Sequence, residues 1–162
     1  MTPDLALLDT AVSDRAALKL ALGHEVAEGW NGFPRALRAI RDAVAADAGL
    51  TRWGVRLFVL EDPRTLVGWG GFKGPPREGA VELGYEIAPG WAGRGLATNA
   101  VRALLAEAFA TAEVQSVIAH TRPAPGASVR VLEKNGFERE GEVPDEQVGR
   151  AWRFRVTRTG VV

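Results

Sequence analysis

The 162-residue sequence predicts a mixed α+β fold in a single domain, 1–162, with a sheet flanked by helices. Three observations carry this: the apolar period switches between 2 and 3.6 residues, strands come in runs instead of a repeating βαβ wheel, and a glycine-rich turn joins a clear strand to the clearest helix. Residues 13–22 and 35–48 read as helices. In the second, Pro34 suits the first turn, Leu37, Ile40 and Val44 recur at helical spacing, and Gly49 is a stop. Residues 53–60 and 66–72 read as strands around the turn Glu61-Asp62-Pro63-Arg64, making an antiparallel hairpin the economical pairing. A third strand covers 80–87, with Val81, Leu83, Tyr85 and Ile87 on one face and Glu82, Gly84 and Glu86 on the other. Helix 96–110 follows, its apolar positions at 3.6-residue spacing, then a strand over 114–120 and a short helix over 127–135 closed by Gly136. Strands over 137–142 and 151–157 complete the order, the last alternating Trp152, Phe154 and Val156 with Arg153, Arg155 and Thr157.

Composition narrows the function classes. Twenty basic and twenty acidic side chains leave a formal net charge of zero, so nothing favours a nucleic acid or an anionic membrane as partner. No cysteine is present, which removes disulfides, thiolate metal sites and a cysteine nucleophile. His24 and His120 stand far apart, so no metal site is expected. Neither a secretory leader nor a spanning apolar run is visible, and a cytoplasmic protein is expected.

The most informative segment runs from Val81 to Phe109. Gly93-Arg94-Gly95 lies where strand gives way to helix, a place where glycines let successive amides converge and the helix start adds unpaired donors. An anion cradle is expected there, with Arg94 able to add a charged fork. A dinucleotide fingerprint needs a third glycine where Thr98 stands, and no Gly-Lys-Ser/Thr run exists for a nucleotide-hydrolysing loop. A tight turn packing helix against sheet is the structural alternative.

Val81-Glu82-Leu83-Gly84-Tyr85-Glu86-Ile87 followed by Gly93-Arg94-Gly95-Leu96-Ala97-Thr98-Asn99-Ala100 resembles the acetyl-coenzyme A motif of the GNAT superfamily of N-acetyltransferases, in its RimJ/RimL-like branch. The segment from Ala127 to Phe137 is similar to the family's later helix and closing strand, so the resemblance spans roughly residues 50–142. It implies a GNAT-like acyl-CoA N-acyltransferase fold with a largely antiparallel sheet splayed at its centre. It also implies acetyl-CoA as cosubstrate, with backbone groups around Glu86, Ile87 and Ala88 pairing with the pantetheine arm. The amides of Gly93, Arg94, Gly95, Leu96, Ala97 and Thr98 would hold the pyrophosphate. Ala92 stands where many members carry Gln or Arg, Leu132 where many carry Tyr, and Pro125 where Asn is common.

Acetyl transfer needs an unprotonated amine, and alkyl amines near pKa 10 require a proton acceptor at neutral pH. Glu82, at a position some relatives use as base, is the candidate, with Glu86 as the alternative on the same face. A solvated strand glutamate is the bland reading of either. The resemblance makes Ser128 a hydrogen-bond donor to the sulfur; a helix-terminal hydroxyl is its ordinary use. Trp30, Phe33, Trp69 and His120 are expected on the acceptor side, though the aromatic residues also suit a core and a lone histidine is commonly structural. Direct transfer to a small-molecule or peptide amine is expected, and a homodimer is compatible with it. A non-catalytic acyl-CoA-binding or regulatory domain of the same fold is the rival.

Overall fold

The computed structural model describes residues 1–146 and 148–159. The chain forms two compact units, Met1–Gly74 with Tyr85–Leu96, and Pro75–Gly84 with the described residues from Ala97 onward. No helix among the described residues is long and apolar enough to cross a membrane.

The first unit opens with α1 (Leu5–Ser13) and α2 (Arg15–Leu22) where a single helix over 13–22 was expected. Asp14 separates them. Its backbone is extended, with φ −157°, and its carboxylate accepts the amides of Ala16 and Ala17 as the N-cap of α2. The α1 stretch is almost continuously apolar, so no 3.6-residue stripe stood out, although Asp4 caps it by accepting the Leu7 amide at 2.8 Å. A two-residue strand, β1 (Glu25–Val26), pairs parallel with β3 and was also not foreseen. Next come α3 (Pro34–Ala46), with Pro34 in its first turn, and a 3-10 turn over Ala48–Trp53 that takes up Trp53 and leaves β2 as Val55–Glu61. The antiparallel hairpin of β2 with β3 (Arg64–Phe72) is the expected one, with a register shift between Phe58 and Val59. Leu8, Leu18, Leu37, Leu57, Leu66, Trp30 and Trp69 meet in this unit's core.

β4 (Ala80–Ile87) lies at its expected bounds and contributes to both units. In the second unit its N-terminal half pairs parallel with β5 (Ser116–Thr121), setting Ala80 to Glu82 against Ser116 to Ile118. α5 (Ala127–Lys134), β6 (Glu138–Asp145) and β7 (Gly149–Thr157) follow, β7 pairing antiparallel with both β5 and β6. α4 (Leu96–Phe109) buries Val101, Leu104, Leu105 and Ala108, the stripe its periodicity predicted. Arg158 fastens the end of α4, donating to the carbonyls of Phe109, Thr111 and Val114. Such carbonyls have no partner inside a helix. The expected α+β fold is borne out: the seven strands form a mixed, mostly antiparallel, unclosed sheet.

One close approach governs the first unit. A Cβ built on Gly68 would lie 2.2 Å from the Glu86 carbonyl oxygen and 3.0 Å from the Ile87 Cα. Both obstacles are backbone, so Gly68→Ala is expected to destabilise by about 1–3 kcal/mol through overpacking. A lowered urea midpoint at unchanged m would show it, and an unchanged midpoint would refute it.

Candidate functional site

The turn after β4 is built stepwise. Pro89–Trp91 form a 3-10 turn in which the Trp91 amide donates to the Ala88 carbonyl at 2.9 Å and the Ala92 amide to the Pro89 carbonyl at 3.2 Å. Gly93 and Gly95 then take φ of 77° and 76°, left-handed values that favour glycine. A Cβ on either would meet nothing within 4 Å, so backbone conformation and not lack of room requires glycine there. Arg94 stacks its guanidinium 4.6 Å from the Trp91 ring centre and donates to the Gly90 carbonyl at 3.4 Å. α4 starts at Leu96, so the amides of its first turn, Ala97 and Thr98 included, have no acceptor within the helix. Open space beside the two glycines, a cation and unpaired amides at a helix start suit an anionic group such as a diphosphate.

β4 supplies an edge next to this turn in the chain. The Ala88 amide donates to the Val67 carbonyl at 2.7 Å, and the Ala88 carbonyl accepts from Trp91. Ala88 is fully buried, and both its backbone groups are used within the fold. The Glu86 carbonyl likewise lies against Gly68 of β3. Backbone groups alternate sides along a strand, so Tyr85 and Ile87 direct theirs to the other edge. Of the backbone groups expected to serve the cofactor over 86–88, those of Glu86 and Ala88 face β3, and those of Ile87 face the other edge.

The two glutamates meet different surroundings. In the second unit Glu82 is the last β4 residue in register with β5, opposite Ile118. His120, two residues further along β5, shares that face, and its Nδ1 lies 2.8 Å from Glu82 Oε1. Side-chain exposures of 24% for His120 and 30% for Glu82 make this a partly buried pair. In the first unit Glu86 is half-buried and accepts the Gly32 amide at 2.8 Å. Burial raises the Glu86 pKa above the ordinary carboxylate range, opposed by the Gly32 amide, the Trp69 indole N–H and the Phe33 amide. Trp69 Nε1 and Glu86 Oε1 are both buried without a partner of full hydrogen-bond geometry, so the indole acts on the carboxylate from a longer range. Glu86 thus anchors the loop over residues 29–33, and its oxygens face donors instead of an open acceptor site.

That loop begins where the Ala27 amide reaches the Leu66 carbonyl at 2.8 Å, carrying β1's pairing one step on. Trp30, 5% exposed, and Trp69, 7% exposed, belong to the core, so the acceptor-facing role expected of them is reduced to supporting the loop. Phe33 is 53% exposed at the loop's end. Ser128 lies exposed in the first turn of α5, whose N-cap is Gly126; the hydroxyl does not occupy the cap position. Tyr85 is largely buried, which drives its hydroxyl pKa upward and keeps it neutral at physiological pH. Trp91 and Asn135 were missed by sequence reasoning. Asn135 is buried and donates through Nδ2 to the carbonyls of Val131, at 2.9 Å, and Thr98, at 3.3 Å, tying the first turn of α4 to the end of α5. Asn-Gly at a helix end signalled only a cap.

Removing the anchor should free the loop. In Glu86→Ala the amides of Gly32 and Phe33 lose their acceptor, at a cost of about 1–3 kcal/mol, and their hydrogen exchange should accelerate about 10- to 100-fold. Unchanged exchange in the folded variant would refute the anchor. Because the native pKa is raised, the folded state holds this proton to higher pH than the unfolded chain. Glu86's contribution to stability therefore falls as pH rises from the unfolded carboxylate value through the native one. The stability difference between wild type and Glu86→Ala should shrink across that window.

Residues 5–138 match the family described as acetyltransferase (GNAT) domain. No curated protein matches the chain. Among solved structures, a probable acetyltransferase is 25% identical with a TM-score of 0.54, covering 59% of this chain and 57% of its own, so this chain spans little more than half of that protein. The ribosomal-protein-S5-alanine acetyltransferase of Vibrio fischeri is 14% identical, covering 97% of this chain and 91% of its own, with a TM-score of 0.70. Mycobacterium smegmatis RimJ, solved with CoA-disulfide, is 21% identical, covering 97% of this chain and 80% of its own, with a TM-score of 0.65. With a family match over most of its length and an agreeing fold, the chain belongs to the GNAT acetyltransferase family.

Proposed function

We propose that the protein transfers the acetyl group of acetyl-CoA directly to a primary amine, either a protein or peptide N-terminus or a small-molecule amine. The turn over residues 93–98 carries the reading: two left-handed glycines, Arg94 and the first-turn amides of α4 suit a diphosphate and are not explained by packing, since the space beside the glycines is open. Solved relatives support the class of reaction, one being a spermidine N-acetyltransferase and another an aminoglycoside acetyltransferase with coenzyme A.

The thioester supplies an activated acyl group, and the chain's residues have three tasks. Gly93 to Thr98 hold the diphosphate through backbone amides, which makes up for the missing Gln or Arg at Ala92. The outward backbone edge of Tyr85 and Ile87 aligns the pantetheine arm, and the Ile87 amide is the nearest candidate to stabilise charge developing on the acetyl oxygen. Ser128 donates a hydrogen bond to the departing sulfur. Proton removal from the amine belongs to the Glu82 side of β4, since the Glu86 carboxylate is engaged by the 29–33 loop. With no cysteine in the chain, transfer passes through a ternary complex without a thioester on the enzyme.

Thiol release from acetyl-CoA across grouped amines and N-terminal peptides tests the reading, and no release with any of them would overturn it. Gly95→Val is expected to weaken acetyl-CoA binding at least about tenfold in a folded protein, because a β-branched residue resists positive φ. Calorimetric titration showing equal affinity would remove the turn from the binding site. Ser128→Ala should lower kcat roughly tenfold with little change in acetyl-CoA affinity, as expected for one lost hydrogen bond of about 1.4 kcal/mol in the transition state.

A further inference from the structure

We infer that His120 is the group that takes the proton from the acceptor amine, and that Glu82 is its positioning residue. This rests on the acetyltransferase reading and goes beyond it by assigning the base to an imidazole held by a carboxylate.

The register places the pair. Glu82 is opposite Ile118 across the parallel β4–β5 ladder, and His120 follows Ile118 on the same face. With Nδ1 at 2.8 Å from Glu82 Oε1, the carboxylate selects the neutral tautomer that carries its proton on Nδ1. Nε2 then holds the lone pair and has no hydrogen-bond partner among the described residues. The carboxylate's oxygen nearest the ring is occupied by that ring, so a proton leaving an amine on this face meets the imidazole more readily than Glu82. Across the β5–β7 ladder His120 faces Arg153, whose Nε lies 2.9 Å from Glu140 of β6, a carboxylate that also takes the Arg155 Nε at 2.5 Å, so two cations share one anion on that side. On α5, the other element against β5, Arg130, Glu133 and Lys134 are all exposed.

The proton accounting closes. An ammonium acceptor releases one proton to Nε2, which passes it to water, and the neutral amine nitrogen forms its bond to the thioester carbonyl carbon. As the carbon–sulfur bond breaks, the second nitrogen proton leaves and the thiolate gains one proton, yielding amide, thiol and one proton in solution. Glu82 stays ionised and steadies the imidazolium while it exists.

Two measurements on the full chain test this. With ¹⁵N-labelled histidine, NMR reads the tautomers of the chain's two rings, and loss of one signal set in His120→Asn assigns them. Neutral His120 should carry its proton on Nδ1, and Glu82→Gln should abolish that preference; a wild-type ring protonated on Nε2 would overturn the proposal. The second measurement is kcat against pH with saturating acetyl-CoA and the best amine found. His120→Asn keeps a donor toward Glu82 but cannot titrate. It should lose about 100-fold or more in kcat together with the acidic limb of the profile, while acetyl-CoA affinity stays within about twofold. Glu82→Gln should keep a limb, because the imidazole remains. A folded His120→Asn enzyme with the wild-type limb would overturn the proposal. So would a limb abolished only by Glu82→Gln, which would return the base to Glu82. Absence of transfer to every amine would end the acetyltransferase reading and the proton role with it, while the tautomer measurement decides the hydrogen bond independently.

Discussion

A strand has two edges, and every buried peptide group on them needs a partner. β4 meets this requirement differently along its length. From Ala80 to Glu82 it is in parallel register with β5, while at Glu86 and Ala88 its backbone is turned against β3. Tyr85 and Ile87 are left to direct their groups the other way. The proposed handling of the cofactor arm depends on that alternation, as does the position of Glu82 at the end of the described register.

Two carboxylates four residues apart on one strand face differ in sequence only by their neighbours, and only the family resemblance put Glu82 ahead of Glu86. The fold separates them through their partners. Glu82 meets an imidazole, a group that exchanges protons readily near neutrality. Glu86 meets the amides of Gly32 and Phe33 and the Trp69 indole, donors that hold a charge without taking or giving a proton. Burial and hydrogen bonding thus pair one glutamate with an imidazole and the other with a loop.

Much of the fold was legible because its periods are clean. β4 matches residue for residue, and α4 ends one residue earlier than its apolar stripe suggested. α1 was not legible because Leu5 to Leu8 are uniformly apolar or small, and β1 was not because two residues make no pattern. At the candidate site, the glycine turn was readable from Gly93 and Gly95, whose positive φ values agree with the reason for expecting glycine. The His120–Glu82 contact was not, since it joins residues 38 apart through a parallel register that no local signal encodes. Trp30 and Trp69 were read toward the acceptor, but composition cannot tell an aromatic wall from an aromatic core.

α4 is held at both ends within its unit: Asn135 grips the Thr98 carbonyl, and Arg158 closes on the carbonyls beyond Ala108. A helix clamped in this way cannot tilt or fray cheaply, so its leading amides keep one heading whether or not an anion is near. At the proposed site, attraction to a diphosphate would then go into holding it, with little diverted to ordering the receptor. For the proposed site, the same rigidity would disfavour anions of other reach, a form of selectivity arising far from any contact with the ligand.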